Sequence, residues 1–579
     1  MTTANHSPQR WLPAWLRSYR TSFLPHDLLA GAIVAVMLVP QSMAYALLAG
    51  LPPQYGMYAS MLPLLAYAAF GSSMTLSVGP VAVTSLMTAS ALAPLAIAGS
   101  ADYIAAAALL ALLAGAMSLL FGALRAGFLA TLLSNPVISG FTSGSSLLIL
   151  IGQLDPLLGL HTASDNAFAQ MISLVAALGD AHAATALYGL CTLLVLIAAR
   201  SGLAPLARRL GASAGLAATL PKLAPMLVVL AAIALEQQWA IAEHHGVAIV
   251  GAIPAGLPAL ALPAFDPERM RALLFPAFAI ALINFVSSIS VAQALALKRG
   301  ERIDADIELR ALGAANIASA VTGGFPVNGG FARSLVNFAA GARTPLAGVV
   351  AALCMALLVT TATGLFRGLP IAVLAATIIV AVAPVIDIDA LRRAWRYDRA
   401  DALALVATAL GVIVLGVEAG IAIGIAVSLA SLVWRSGHPH IAELGRVPMT
   451  EHFRNVLRYR TETLAHVLAL RIDENLLFAN AAAVEQRVRD EIAMRPELKH
   501  VLLVLSSVSQ IDTTALEMLL ELNRALAARA VDFNFAEIKG PVLERLRDTP
   551  LLATLSGSVF LSTHQAFLQF SGEAEDYSI

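Results

Sequence analysis

Two breaks in apolar segments combine residue types that suit a small anion. They are Gly79–Val81 and Asn328–Phe331, and a short apolar run follows each. Each break predicts a short helix whose first N–H groups lack intrahelical partners and carry the positive end of the helix dipole. Pro80 suits a first helical position, and Asn328 is a residue type that caps helices. Two such helix starts that meet would form an anion site.

Arg333 lies one turn into the second short helix. An arginine at the centre of a membrane span costs about 3 kcal/mol on insertion scales, so its presence indicates a function. We expect it to supply positive charge to the anion, while Gly329 and Gly330 let backbone approach the ligand closely. The alternative is structural: the side chain reaches an aqueous face or bonds to neighbouring carbonyl groups.

Gln41 and Tyr45 follow a proline inside the first long apolar segment. Pro40 predicts a kink that turns these polar groups inward, towards the site. The alternative is that both side chains make hydrogen bonds between helices.

The composition explains why these sites must sit among membrane helices. Of 579 residues, 58% are hydrophobic and 13% are charged, against about 25% charged in a soluble domain. Asp102 is the only charged residue from Leu28 to Leu124, whereas charges recur every few positions after about Arg446. The net charge of -1 and the lack of a basic stripe predict no nucleic-acid partner. The two cysteines and the scattered histidines predict neither a metal site nor a cofactor.

A membrane helix needs about 20 apolar residues, and fourteen apolar segments are present. They cover residues 28–47, 55–70, 80–95, 101–124, 128–151, 168–199, 218–235, 271–297, 307–322, 328–340, 344–365, 369–386, 400–416 and 418–435. The third and tenth are too short to cross alone. The predicted organisation is an N-terminal segment 1–27, a transmembrane domain 28–435, a linker 436–460, a soluble domain 461–572 and a tail 573–579.

The distribution of Lys and Arg predicts the orientation. With an even number of spans, one face receives Arg10, Arg17, Arg20, Arg200, Arg208, Arg209, Lys222, Lys298, Arg299, Arg302, Arg310, Arg392, Arg393, Arg396 and Arg399. The opposite face receives Arg367, with Arg269 and Arg271 at its edge. Both termini are therefore expected on the cytoplasmic side of a plasma membrane.

The apolar part also repeats itself at an offset of 247 residues. Leu38–Ser42 resembles Phe285–Ile289, and the same offset places Ser77–Pro80 opposite Gly324–Val327. Seven spans separate the two members of each pair, so the second copy is inverted in the membrane. Inverted repeats place the substrate site at their interface, near short segments interrupted by Gly and Pro.

Several longer stretches resemble the SulP family of sulfate permease-like anion transporters, in the family's order and over nearly the whole chain. They are Asp27–Gly31, Val39–Ala46, Leu51–Tyr58, Ser77–Pro80, Glu308–Leu309, Gly313–Ile317 and Arg333–Asn337. The resemblance implies an all-α membrane domain of seven plus seven spans, movement as an elevator, and a homodimer. It also implies transport of sulfate, bicarbonate, chloride or dicarboxylates, by cation symport or anion exchange.

This chain departs from the family pattern at two places. Asn328–Arg333 stands where the family often has Thr-Gly-Ser-Phe-Ser-Arg, so fewer hydroxyl groups are available to the anion. Ser287–Ser290 stands where many members have Glu-Ser-Ile-Ser, so the carboxylate linked to cation coupling is absent. The predicted anion-binding residues are Gln41, Tyr45, Gly79, Pro80, Val81, Ser287, Asn328, Gly329, Gly330, Phe331 and Arg333.

The C-terminal region predicts a small α/β domain, because strands near 466–472, 501–505 and 531–535 alternate with helices. Ser509–Leu516 resembles the signature of STAS domains, which are related to anti-sigma-factor antagonists. Thr514 matches a position that is phosphorylated in some relatives, which makes it a possible regulatory residue. The preferred interpretation is that Asp512 or Thr513 caps the helix that begins there.

The sequence therefore predicts a secondary transporter of small inorganic anions, with sulfate as the first choice, and not an enzyme. A primary pump is disfavoured because no Gly-x-x-x-x-Gly-Lys-Ser/Thr loop occurs. A nucleobase permease and an anion channel or membrane-anchored sensor remain as alternatives. The expected partners are the anion, the lipid bilayer and a second copy of the chain.

Overall fold

A computed structural model describes residues 13–131, 134–160, 162, 167–211 and 214–573. The chain packs as two units, Met1–Ser428 and Leu429–Ile579. Residues 1–12 of the predicted N-terminal segment and 574–579 of the predicted tail lie outside the described residues. The first unit is helical and the second is α/β, which confirms the predicted fold class.

The helices that begin in the first unit mostly follow the apolar segments of the sequence. They are α1 Ala14–Arg17, α2 Leu24–Leu48, α3 Pro53–Tyr58, α4 Leu62–Phe70, α5 Ala82–Leu92, α6 Ala101–Ala123, α7 Asn135–Leu158, α8 Ala167–Ala177, α9 Ala183–Arg209, α10 Ala214–Trp239, α11 Ile241–His245, α12 Pro267–Leu297, α13 Ala305–Val321, α14 Phe331–Ala339, α15 Leu346–Thr361, α16 Ile371–Val382, α17 Ile388–Tyr397, α18 Arg399–Leu415 and α19 Val417–Gly437. Among the described residues, seven helical stretches are long and apolar enough to cross a membrane.

Helix starts are marked by short polar side chains at the aqueous ends of the long helices. Ser100 caps α6 by accepting a hydrogen bond from the Tyr103 N–H, at 3.2 Å. Asp266 and Asp304 cap α12 and α13 in the same way. These caps satisfy N–H groups that the helix itself leaves unpaired, which fixes where each helix begins.

Two short strands join the inverted repeats at the centre of this unit. Strand β1 (Val78–Gly79) leads into α5, and β2 (Asn328–Gly329) leads into α14. They pair antiparallel, with Val78 opposite Gly329 and Gly79 opposite Asn328. The equivalent strands begin 250 residues apart, since 328 minus 78 is 250, and not 247 apart as the sequence similarity suggested. The sequence similarity aligned the two breaks by their Gly and Pro residues. In the structure, the equivalent positions are those of the strand that precedes each helix.

The second unit is a six-stranded sheet with helices around it. Its strands are β3 Ile441–Arg446, β4 Phe453–Asn455, β5 Val467–Ile472, β6 His500–Val504, β7 Asp532–Ala536 and β8 Val559–Phe560, in the order β4-β3-β5-β6-β7-β8. Its helices are α20 Ala481–Met494, α21 Thr513–Ala527, α22 Gly540–Arg547, α23 Pro550–Ala553 and α24 Thr563–Ser571. Strands β5 to β8 are parallel.

The sheet extends into the segment 436–460 that the sequence predicts as a linker. Strand β3 pairs antiparallel with both β4 and β5. Ala442 and Leu444 of β3 are buried, whereas Ile441 before them and Glu443 between them are more exposed. This short alternation is weak beside the continuous apolar runs of β5 and β6, which explains why the pattern of the sequence alone showed only the central strands.

Candidate anion site

The two short helices begin without side-chain caps. Val81 is the N-cap of α5 and Gly330 is the N-cap of α14, and neither makes a side-chain capping hydrogen bond. The N–H groups of both first turns therefore point outward with neither an intrahelical nor a capping acceptor. Two uncapped helix starts on neighbouring strands thus bring backbone donors and positive dipole ends together, which is the arrangement that suits an anion.

The helix starts differ in detail from the sequence prediction. Pro80 precedes the N-cap and does not occupy the first helical position. Asn328 does not cap α14, because its Oδ1 accepts hydrogen bonds from the Gly329 N–H (2.8 Å) and from the Ser288 hydroxyl. The Asn328 side chain is therefore used to tie β2 to α12, and it leaves the first turn of α14 open.

Arg333 lies in the first turn of α14 with its side chain 2% exposed. Its Nη1 donates a 2.7 Å hydrogen bond to the Pro80 carbonyl oxygen, and its Nε and Nη2 have no hydrogen-bond partner among the described residues. The alternative in which this side chain reaches an aqueous face is wrong. The alternative in which it bonds to carbonyl groups holds for one nitrogen only. Two buried donors of a charged group remain available, which is costly unless a ligand occupies them.

Two glycines leave room for the guanidinium group. A Cβ atom on Gly330 would lie 2.9 Å from Nη2 of Arg333, and one on Gly79 would lie 3.3 Å from the same atom. A side chain at Gly330 would therefore force the guanidinium to move, and one at Gly79 would crowd it. The need for glycine here is steric, because neither residue has a positive φ.

Two asparagines fix the strand that leads into α14. Asn284 of α12 and Asn316 of α13 both donate from Nδ2 to the Val327 carbonyl oxygen, at 3.1 Å each. Asn316 also accepts from the Val327 N–H at 2.9 Å, and Asn284 accepts from the Thr84 hydroxyl of α5 at 2.7 Å. Neither asparagine is among the site residues predicted from the sequence, although an amide side chain inside an apolar helix was a usable signal.

Further hydrogen bonds hold the two half-sites together. The Gly330 N–H donates to the Ser77 carbonyl oxygen at 3.0 Å, and the Ser77 N–H donates to the Ser334 hydroxyl at 2.9 Å. Asn337 of α14 donates from Nδ2 to the Thr75 carbonyl oxygen at 3.0 Å. Each of these bonds joins one repeat to the other, so α5 and α14 form one assembly.

Two fully buried carboxylates anchor the ends of this assembly. Asp27 of α2 accepts from the Arg343 N–H (2.6 Å), the Thr344 N–H (3.0 Å) and the Thr344 hydroxyl (2.7 Å), in the loop after α14. Glu308 of α13 accepts from the Tyr67 hydroxyl (2.8 Å) and from the N–H groups of Ser72 (2.9 Å) and Ser73 (3.1 Å), before β1. Each repeat thus supplies a carboxylate to the other. Several donors to one carboxylate offset the cost of burying its charge.

A cavity of about 1210 Å³ opens onto the helix starts. Nine of the eleven predicted site residues line it: Gln41, Tyr45, Val81, Ser287, Asn328, Gly329, Gly330, Phe331 and Arg333. Gly79 and Pro80 do not line it; Pro80 instead supplies the carbonyl group that holds Arg333. Ser287 lines the cavity, while its neighbour Ser288 is buried and accepts from the Gly329 N–H at 3.0 Å.

Gln41 and Tyr45 lie on the cavity side of α2, which continues through Pro40 as a single helix. Neither side chain makes a hydrogen bond with another described residue. The interhelical hydrogen bonds considered as their alternative role are therefore not seen among the described residues.

Comparison with known proteins adds an independent finding. Residues 24–408 match the model of the sulfate permease family, which covers more than half of the chain. The chain belongs to the sulfate permease family. Residues 458–566 match the STAS domain model. The membership confirms the resemblance drawn from the sequence, and it makes the chain a membrane transporter rather than an enzyme.

Proteins that are similar to this one cover 89% or more of the chain. The "Probable sulfate transporter MT1781" of Mycobacterium tuberculosis is 36% identical over 94% of this chain and 94% of its own length. "Sulfate transporter 4.1, chloroplastic" of Arabidopsis thaliana is 33% identical over 89% of this chain and 76% of its own. The murine Slc26a9 anion transporter in the inward-facing state shares the fold, with a TM-score of 0.88 and 24% identity over 98% and 96% of the two chains.

The STAS unit of this sulfate permease family member places its signature loop before α21. Asp512 is the N-cap and accepts from the Ala515 N–H at 2.9 Å, which confirms the capping interpretation. Thr514 is exposed in the first turn. Its hydroxyl is therefore accessible to solvent, and it has no part in the cap.

Proposed function

We propose that this chain is a secondary active transporter of a small inorganic anion, with sulfate as the first choice, that works by elevator-type alternating access. One observation carries the proposal. Arg333 is buried between two uncapped helix starts, with two unpartnered donor nitrogens, at the end of a cavity of about 1210 Å³. A buried cation with free donors beside two helix N-termini suits an anion better than any neutral solute.

Sulfate suits the chemistry of this site because its four oxygens accept hydrogen bonds in several directions. The first-turn N–H groups of α5 and α14 approach from two sides, and Arg333 provides charge. Hydroxyl groups are few, so backbone and guanidinium donors would carry the binding. The names of the relatives favour sulfate, while bicarbonate, chloride and dicarboxylates are the alternative substrates of this proposal.

Two arginines of the cavity lining support an inward-open arrangement. Arg200 and Arg392 line the cavity, and both belong to the face that the Lys/Arg bias assigns to the cytoplasm. The anion site would then communicate with the cytoplasm, with both termini on that side of the plasma membrane. The opposite opening would arise when α5 and α14 move together against α7 and α16, which line the other wall.

The proposal includes a homodimer and a regulatory or structural role for the STAS unit, with Thr514 as a possible modification site. Truncation after Gly437 should leave anion binding by the correctly folded membrane unit intact. A folded, truncated protein that no longer binds anion would assign the STAS unit a direct role in the site.

The decisive experiment is uptake by purified protein in proteoliposomes. Labelled sulfate, bicarbonate, chloride and succinate are compared, with uracil as a test of the nucleobase alternative. Saturable sulfate uptake that internal sulfate accelerates supports the proposal. Uptake that does not saturate would indicate a channel, and uptake of uracil alone would indicate a nucleobase permease.

Orientation has a separate test. A cysteine introduced at Gly572, in a background without Cys191 and Cys354, should resist membrane-impermeant thiol reagents in intact cells. It should react once the cells are permeabilised. Ready labelling of intact cells would reverse the topology.

A further inference from the structure

Helix α17 is a short and exposed helix of the membrane unit. It has 10 residues, so at about 1.5 Å per residue it is too short to cross a bilayer. None of its residues is buried, and Ile388 and Trp395 are 59% and 56% exposed. A short helix with large exposed apolar side chains needs a partner that covers them.

The two sides of α17 differ sharply in chemistry. At about 100° per residue, Ile388, Leu391 and Trp395 lie on one side. The three arginines of the helix lie together on the adjacent side: Arg392, Arg393 and Arg396. A helix with tryptophan and aliphatic residues on one face and arginine on the other lies in the plane of a membrane interface.

The charges of α17 favour an anionic surface. Asp389 is the only acidic residue inside the helix, against three arginines, so its ten residues carry a formal charge of +2, with Asp387 and Asp398 at its two caps. Arg392 pairs with Asp389 at 3.1 Å and Arg393 pairs with Asp387 at 3.2 Å, but all four side chains are at least 47% exposed. Such surface pairs contribute little and exchange partners easily. Arg396 makes no ion pair with any described residue. These arginines are therefore free to bind phosphate groups bidentately.

The start of α17 is tied to the wall of the transport cavity. The Asp387 N–H donates to the Ser143 hydroxyl of α7 at 3.2 Å, and the Asp387 carboxylate caps the Ala390 N–H at 2.7 Å. Ile388, Asp389 and Arg392 themselves line the cavity. A contact that fixes the position of α17 therefore also fixes one wall of the cavity.

We propose that α17 is an interfacial anchor that binds anionic phospholipids, with phosphatidylglycerol as the representative. Leu391 and Trp395 lie among the acyl chains, and Arg393 and Arg396 bind headgroup phosphates, while Ile388 and Arg392 line the cavity. The anchor fixes the α7 side of the cavity in the bilayer while the anion site moves past it.

The test uses the fluorescence of Trp395 in the full-length protein. Its contribution is the difference between the wild-type protein and Trp395→Phe. The protein is reconstituted into phosphatidylcholine vesicles that contain equal fractions of either dibrominated phosphatidylglycerol or dibrominated phosphatidylcholine, whose bromines quench nearby tryptophan. We expect quenching by both lipids, and stronger quenching by the glycerol lipid.

The arginine face is tested by the double variant Arg393→Gln/Arg396→Gln. At about 1 kcal/mol for each arginine near an anionic surface, its preference for phosphatidylglycerol should fall roughly 5- to 30-fold. The matched control is Arg458→Gln/Arg460→Gln, which removes two exposed arginines of the STAS unit and should keep the preference.

Two results would overturn the proposal. Equal quenching by both lipids in the wild-type protein would mean that the arginines recognise no anionic headgroup. Absence of quenching by either lipid, together with dissociation of a dimer by Trp395→Ser in light scattering, would identify a second copy of the chain as the occupant. Neither readout depends on which anion is transported.

Discussion

Arg333 donates a hydrogen bond from Nη1 to the carbonyl oxygen of Pro80, 253 residues earlier, at 2.7 Å. The guanidinium of Arg333 in α14 is thereby positioned by the backbone that leads into α5. One nitrogen is used for position and two remain for a ligand. The arrangement explains how a single cation can serve both halves of the site.

Replacement of Arg333 by Gln should weaken sulfate binding roughly 10- to 100-fold, because a charged hydrogen bond contributes about 1.5–3 kcal/mol. The half-saturating sulfate concentration for thermal stabilisation of the purified protein measures this effect. Arg367→Gln, at an exposed arginine remote from the cavity lining, is the control. Unchanged sulfate affinity in a folded Arg333→Gln variant would remove Arg333 from the site.

Gly330→Ala should reduce sulfate affinity about tenfold, since the added Cβ would displace the guanidinium of Arg333 and overpacking costs about 1–3 kcal/mol. The same titration measures it. Gly152→Ala in α7 is the matched control, because no described atom lies within 4 Å of its added Cβ. Equal affinities for the two alanine variants would contradict the steric role of Gly330.

Tyr67→Phe removes one donor from the buried carboxylate of Glu308. The free energy of unfolding should fall by about 1.5–3 kcal/mol, the contribution of a hydrogen bond to a charged group. Unfolding in a detergent titration measures the loss. Tyr58→Phe is the control, because its hydroxyl bonds to no described residue. Equal stabilities for the two variants would show that Glu308 needs no donor from Tyr67.

Coupling to cations should be weak, because Ser287 lines the cavity where a carboxylate would be needed to titrate or to bind a hard cation. An imposed proton or sodium gradient should drive little sulfate accumulation, while internal anion accelerates uptake. Strong accumulation into anion-free vesicles would refute this. Ser287→Glu tests whether a carboxylate here restores coupling. If coupling has moved elsewhere, the candidate group is Glu418, at the boundary of the last two predicted spans, whose side chain lies outside the part of the chain that the structure describes.

The C-terminal helix of the STAS unit should loosen in mild acid. His500 stacks on Phe570 of α24, with ring centroids 4.4 Å apart, and burial lowers the pKa of His500 despite the nearby Asp532 carboxylate. Because the unfolded imidazole has a pKa of about 6.5 and binds the proton more readily, stability is lost as the pH falls below that value. Hydrogen exchange across Thr563–Ser571 at pH 7.5 and 5.5 measures the change, which should be smaller in His500→Gln. An equal change in the variant would assign the loss to another group.

The helices of the membrane unit were largely predictable from the sequence, because a lipid environment restricts the secondary structures that can span it. Long apolar runs gave the helices, and the breaks at Gly79 and Gly329 gave the two half-helices, since interrupted spans are tolerated only where they face a cavity. The sequence did not reveal the hydrogen bond from the Ser288 hydroxyl to the Asn328 side chain, because this bond depends on which helix packs beside β2. Nor could it place Glu308 opposite Tyr67, 241 residues away.

In the soluble unit, the central strands were visible because they are continuous apolar runs, and Asp512 was visible as a cap because capping is local. The strand Ile441–Arg446 acquires its identity from pairing with β4 and β5. Pairing across the sheet is a property of the folded chain that short-range patterns do not encode.

The carboxylate contacts between the repeats also set an order for biosynthesis. Asp27 binds Thr344, 317 residues later in the chain. At about 5–20 residues per second, a ribosome takes roughly 15 to 60 s to make the intervening chain. During that interval the first half lies in the membrane while the Asp27 carboxylate lacks its donor on Thr344. Ser72 and Ser73 likewise lack their acceptor, Glu308. These hydrogen bonds can therefore form only after the second half has been made. The first half expressed alone lacks the partners for these buried groups.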